Sequence, residues 1–252
     1  MTRGLRAALI LLAAGGSTSL AADAPAPPRS GIEYATPGIR AMQQDDFANP
    51  GMLWVSLGQA LWKETQGQAG KSCAMCHGEV ASLSKAAYPR RDRDGKSLVN
   101  LEGRIERCRV EQMGAATLGY ESEGLLALTA AIRHFMRGKP APVIEDRAAI
   151  AGGEAYFRQR RGRLDLSCAD CHEKLAGKQL RDETVSEGHG NGFPAYRVRW
   201  RSVGSLHRRF QVCNEAVGAE TSALGAKDYI ALEWYLAWRG RDLKVETPAV
   251  RQ

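Results

Sequence analysis

The chain has no methionine after Met136, and beyond its N-terminus it has no long apolar run. The second absence excludes a membrane-spanning helix, which needs roughly 18 consecutive apolar residues. The first removes thioether sulfur as a metal ligand from the whole C-terminal half. Arginines are spread along the sequence, but no nucleic-acid-binding motif accompanies them. Their bland reading is a solvated basic surface; their sharper one is a field that steers an anionic substrate or acidic partner toward a site.

The opening stretch MTRGLRAALILLAAGGSTSLA (residues 1–21) sets Arg3 and Arg6 before a short apolar run and a small-residue end. That pattern reads as a secretory signal peptide, too short and wrongly flanked for an anchor. The formal charge of +7 falls by two, to +5, when Arg3 and Arg6 are removed. An Ala/Pro-rich stretch follows, and residues 22–48 are expected to form a flexible arm.

The remainder is an internal repeat. GQALWKETQGQAGKSCAMCHG (58–78) aligns without gaps on GEAYFRQRRGRLDLSCADCHE (153–173). Tyr88-Pro89 is echoed by Phe193-Pro194, and GRIERCRV by HRRFQVCNE. LLALTAAIRHFMRG (125–138) then pairs with DYIALEWYLAWRG (228–240), both apolar at helical spacing, with Gly138 and Gly240 expected as C-caps. FANPGMLWVSLGQALW reads as an amphipathic helix entered through Asn49-Pro50, with Trp54 and Trp62 on its buried side. Each half is therefore helix, C-x-x-C-H, long loop, lone cysteine, closing helix. The expected fold is mainly α, two tandem cytochrome c-like domains (49–140 and 141–252) with little strand.

CAMCH (73–77) and CADCH (168–172) carry the signature of c-type haem attachment. Two thiols three positions apart, Cys73 and Cys76 or Cys168 and Cys171, can each add to a haem vinyl group, and His77 or His172 then meets the iron. A zinc site or a thioredoxin-like pair explains neither the histidine after both pairs nor the duplication. Two covalent haem c groups are expected. The sixth ligands are open. In the second half they are His189, His207, Cys213 or nothing. In the first, Met113 lies near Cys108. Cys108 follows His77 by 31 residues and Cys213 follows His172 by 41, which places each lone cysteine on its own distal side. A Cys108–Cys213 disulfide is the competing reading. It needs Cα atoms within about 7 Å, which equivalent positions in separate domains do not favour. A thiolate ligand stabilises ferric iron and lowers the potential, which suits something other than simple conduction.

The run CAMCHG…YP…LVNLEGRIERCR…ALTAAI, with LSCADCH…GKQLR…GFPAYRVRW…GSLHRRFQVCNE…YIALEWYLAWRG, resembles the SoxA family over roughly residues 50–250. These are dihaem cytochrome subunits of SoxAX complexes in periplasmic thiosulfate oxidation. The resemblance implies that Cys213 is an axial ligand modified to a persulfide at the active site, and that Cys108 is a plain axial ligand. It implies that Arg209 and Arg239 hold the anionic substrate, with Arg239 the stronger match. The implied activity is that of an L-cysteine S-thiosulfotransferase: thiosulfate is joined to a cysteine of the SoxYZ carrier. The implied partners are a monohaem SoxX subunit, SoxYZ and a cytochrome c acceptor. Two other readings stand beside it, a dihaem electron-transfer cytochrome and a standalone thiosulfate dehydrogenase that forms tetrathionate.

Overall fold

The computed structural model describes Met1 and residues 27–252; apart from Met1, the signal peptide expected over residues 1–21 lies outside the described residues. The first half contains α1 (Pro37–Gln44), α2 (Met52–Lys63), the five-residue α3 (Cys73–His77), strands β1 (Arg90–Arg91) and β2 (Leu98–Val99), α4 (Leu101–Met113) and α5 (Glu123–His134). The second half repeats this order with α6 (Arg147–Arg158), α7 (Cys168–His172), a hairpin of β3 (Gln179–Leu180) and β4 (Glu183–Thr184), then β5 (Ala195–Arg197), β6 (Ser202–Gly204), α8 (Leu206–Ala216) and α9 (Lys227–Arg239). A final strand, β7 (Ala249–Arg251), closes the chain. The architecture is mainly helical, as the periodicity requires.

The repeat has a packing reason. In each half the entry helix lies against the closing helix, α2 on α5 and α6 on α9. The closest approach falls on the matched glycines. A Cβ on Gly58 would come within 2.0 Å of the Ala127 carbonyl oxygen, and one on Gly153 within 2.0 Å of that of Ala231. No side chain fits there, so both helix pairs are built on backbone contact. Trp62, Leu128, Ile132 and Met136 fill the core beside α2 and α5. Phe157, Tyr229, Leu232 and Leu236 fill the equivalent core in the second half. Burial of each such side chain contributes roughly 1.5–3 kcal/mol. Trp54 is only half-buried and leans on Tyr196, with ring centroids 6.3 Å apart.

Two expectations need correction. Residues 22–48 do not form a flexible arm throughout, because Gly31–Tyr34 make a 3₁₀ turn and α1 follows, started by Thr36 as N-cap with Pro37 behind it. Gln43 fixes α1 to the C-terminal strand, its Oε1 accepting from the Val250 amide at 3.0 Å. Gly138 is not the C-cap of α5, which ends at His134. The chain turns there to bury Met136, and the Gly138 amide donates instead to the Val245 carbonyl. Gly240 does cap α9.

The tail of the second half also returns to the first. Val245 is buried in the first core, Asn49 Nδ2 donates to the Pro248 carbonyl, and β7 runs parallel to β5 in the sheet order β6-β5-β7. The two halves are thus fastened by the chain's last residues, which the periodicity of the sequence does not reveal.

Candidate functional site

Each C-x-x-C-H motif occupies a short helix started by a serine. Ser72 Oγ accepts from the Met75 amide at 3.2 Å, and Ser167 Oγ from that of Asp170 at 3.2 Å. Asp170 answers by accepting from the Ser167 amide at 2.9 Å, a reciprocal cap. These caps hold the two thiols and the histidine of each motif on one turn. Trp62 fixes the end of α3, donating from Nε1 to the Gly78 carbonyl at 2.8 Å while its ring lies 5.8 Å from that of His77.

The lone cysteines take equivalent places on α4 and α8, helices capped by Asn100 and Ser205. All six cysteines are free, so the Cys108–Cys213 disulfide is not formed. Cys108 instead lies near Cys73, whose thiol is pushed up by burial and then by the Cys108 charge. Cys213 lies near both Cys168 and Cys171. Burial pushes the Cys168 thiol up to about 11. Burial also pushes Cys213 upward, but Arg209, His172 and Arg197 together outweigh it and bring its thiol down to about 7.

His172 faces Cys213 in a defined orientation. Its Nδ1 lies 2.7 Å from the Ser186 carbonyl oxygen, so that nitrogen carries the proton and Nε2 is left with its lone pair. His172 is one of the side chains that act on the Cys213 thiol. The loop after Ser186 packs flat on the imidazole: a Cβ on Gly188, at φ 76°, would lie 2.7 Å from His172 Cγ. This is the arrangement a haem iron needs from its protein, with one imidazole nitrogen oriented by a backbone carbonyl, a sulfur across from it and two vinyl-reactive thiols on the same turn. Among the described residues no three His, Cys, Asp or Glu side chains converge in the way a zinc site requires.

The alternative ligands are engaged elsewhere. His207 is 1% exposed, its Nδ1 accepts from the Gly225 amide at 3.0 Å, and its Nε2 is 3.1 Å from Glu233 Oε2. Its ring stacks on Tyr120. His189 is buried with Nε2 3.1 Å from Glu187 Oε2. Met113 ends α4 and is buried. Cys108 lies near Cys73, and Cys213 near Cys168, Cys171 and His172.

The arginines divide differently from the sequence reading. Arg209, one helical turn before Cys213, acts on its thiol. Arg239 is held at the loop that follows Ser186. It donates to the Glu187 carbonyl at 2.5 Å and lies over the Phe157 ring at 5.3 Å. It braces the loop that packs on His172. Arg197, which the sequence reading left unassigned, is buried on β5 and feels the charges of both Arg209 and Cys213. The repeat held a clue to it, because the same register in the first half carries Asp92 rather than a basic residue.

The chain is similar to known proteins over most of its length. A family model described as SoxA/TsdA, cytochrome c domain, matches residues 57–141. The chain is 42% identical to the L-cysteine S-thiosulfotransferase subunit SoxA of Pseudaminobacter salicylatoxidans, over 88% of this chain and 80% of that one. It is 37% identical to the subunit of the same name from Rhodovulum sulfidophilum, with the same coverage. The solved structure of SoxXA from P. pantotrophus superposes with a TM-score of 0.85 at 34% identity, covering 89% of this chain and 87% of that one. With a cytochrome c fold and motifs for covalent haem c, the chain belongs to the SoxA family of L-cysteine S-thiosulfotransferase subunits.

Proposed function

We propose that this protein is the catalytic subunit of a periplasmic SoxAX-type enzyme, paired with a monohaem subunit of the SoxX kind. It carries two haem c groups. Cys73, Cys76, His77 and Cys108 hold the first, and Cys168, Cys171, His172 and Cys213 hold the second. The reaction joins thiosulfate to a cysteine of a SoxYZ-type carrier: the thiol and the thiosulfate dianion give a cysteine S-thiosulfonate, one proton and two electrons. When bound, the second haem supplies the redox centre through which those electrons leave, one at a time, toward the partner's haem and a cytochrome c.

The observation that carries this reading is the convergence of Cys213, His172 and Arg209. Cys213 is buried, yet its thiol is held near neutrality by cationic neighbours, so it is available as a sulfur nucleophile. In this role it carries an added sulfur as a persulfide: thiosulfate is joined to that sulfur with loss of two electrons, and the carrier thiolate then takes the thiosulfonate group as the bond to the persulfide sulfur breaks. Arg209 donates to the sulfonate oxygens of thiosulfate, as a guanidinium does to carboxylate or phosphate. The Ser186 carbonyl keeps the proton of His172 on Nδ1 and so fixes which nitrogen faces the iron. Arg239 acts one step back, holding the Glu187–His189 loop against that ring.

Replacing Cys213 by Ala tests the assignment. The variant keeps both covalent haems and loses transfer of thiosulfate to the carrier. Retention of full transfer activity returns the protein to the class of pure electron-transfer cytochromes. Vigorous tetrathionate formation with no carrier present identifies a thiosulfate dehydrogenase instead.

A further inference from the structure

The second half departs from the duplicated plan just after its motif. Between His77 and Tyr88-Pro89 the first half has residues 78–87, whereas between His172 and Phe193-Pro194 the second has residues 173–192, twice as many. The longer stretch forms the β3–β4 hairpin and then the loop from Ser186 to Asn191. That loop supplies the carbonyl that holds His172 Nδ1 at 2.7 Å and the Gly188 backbone that lies on the ring. His77 follows the shorter stretch, and its ring lies beside Trp62.

The N-terminal segment before α1 is tied to this loop. The Glu187 carboxylate accepts from the Arg29 amide at 2.9 Å and from the Tyr34 hydroxyl at 2.8 Å. His189 Nε2 stands 3.1 Å from its Oε2, and because a carboxylate only accepts, that nitrogen donates. The Glu187 carbonyl takes Arg239 Nη1 at 2.5 Å. Asn191 Nδ2 adds a second tie to the segment, donating to Ser30 Oγ at 2.9 Å. Glu187 is therefore held from three sides: by the N-terminal segment, by the end of α9 and by its own loop. The Ser186 carbonyl belongs to the peptide that enters Glu187, so fixing this residue fixes the acceptor of the His172 proton. The strength of that contact sets how much electron density the imidazole gives to a metal, and with it the metal's potential.

We infer that Glu187, fastened by Tyr34 and the Arg29 amide, is the positioning residue for His172, and that the segment before α1 is a working part of the second haem site and not of the first. The inference rests on the reading of His172 as an axial ligand of a covalent haem. It gives a reason for the two additions to the duplicated plan, the lengthened loop and the N-terminal segment, to meet at one carboxylate.

The test uses the purified holoprotein with its partner, read by redox titration and by electron paramagnetic resonance of the ferric haems. The variant Cys73→Ala/Cys76→Ala lacks the attachment thiols of the first haem and so assigns the signal of the second. Tyr34→Phe and Glu187→Ala each raise the midpoint potential of the second haem and shift its g-values, because a looser Ser186 carbonyl leaves a less basic imidazole. The signal of the first haem stays in place. Glu187→Gln keeps one acceptor oxygen and shifts the potential less than Glu187→Ala. Tyr34→Phe adds nothing further in a Glu187→Ala background, since both act through one bond. If Glu187→Ala fails to fold, Tyr34→Phe and Glu187→Gln carry the same comparison. A lowered melting midpoint with both haem signals unmoved makes the contacts merely structural and overturns the inference, as does an equal shift of both haems or additive shifts in the double variant. Absence of a second haem from the unsubstituted protein sinks the haem reading and this inference with it, whereas unmoved signals in a two-haem protein sink the inference alone. Thiosulfate transfer is not read here, so the Cys213→Ala assay decides the sulfur chemistry separately.

Discussion

His172 and Cys213 face each other across the second half of the molecule, the imidazole held by the Ser186 carbonyl at 2.7 Å and the thiol brought to about 7 by Arg209, His172 and Arg197 against its own burial. Neither residue is unusual alone. In the proposed reading their opposition, with Cys168 and Cys171 on the turn that bears His172, makes a haem-attachment motif a site where sulfur chemistry and electron removal meet.

Arg209 and Arg239 are expected to separate kinetically. Arg209→Met removes a charge-assisted contact to substrate, so KM for thiosulfate rises by about tenfold or more. Arg239→Met loosens the loop on His172, so its signature is a changed haem spectrum with a smaller change in KM. Steady-state kinetics and absorption spectra of the two holo variants read this directly.

The pairing of helices makes a prediction about folding. In Gly153→Ala the new methyl meets the Ala231 carbonyl and the Tyr235 side chain, and α6 must move off α9. Overpacking of this kind costs about 1–3 kcal/mol. Thermal denaturation of the holoprotein shows a lowered midpoint, and Gly58→Ala behaves alike on α5.

A buried polar cluster joins the halves and sets a pH dependence. Burial and the neighbouring Glu233 push the Glu102 carboxyl up to about 7. Burial lowers His207, but Glu233 outweighs it and the net direction is upward. Both groups bind protons more tightly folded than unfolded, so their contribution is present at low pH and declines as pH rises through neutrality. The melting midpoint is therefore expected to fall between about pH 5 and pH 8. In Glu102→Gln the decline is shallower; an unchanged slope assigns it to other groups.

The fold was legible because duplication printed it twice. Gly58 and Gly153, the C-x-x-C-H motifs and the positions of Cys108 and Cys213 recur at matched places, and each recurrence has a packing or capping reason. What the sequence hid depends on non-local contact. The return of Val245 and β7 to the first half rests on short extended segments without periodicity. The 3₁₀ turn and α1 sit in a stretch whose Pro and Ala content suggested an arm, and contact with Val250 orders α1. His189 and His207 could not be dismissed as ligands until Glu187 and Glu233 were seen beside them. Arg197 was one basic residue among many, distinguished only by burial and by the Asp92 that stands in its register.

The central claim is that Cys213 is the atom-level centre of the sulfur chemistry. Mass spectrometry of the intact, native holoprotein followed by peptide mapping tests it most directly. Two covalent haems and one added sulfur confined to Cys213 are expected, with Cys108 unmodified. A Cys108–Cys213 disulfide, or added sulfur on any other residue, contradicts it.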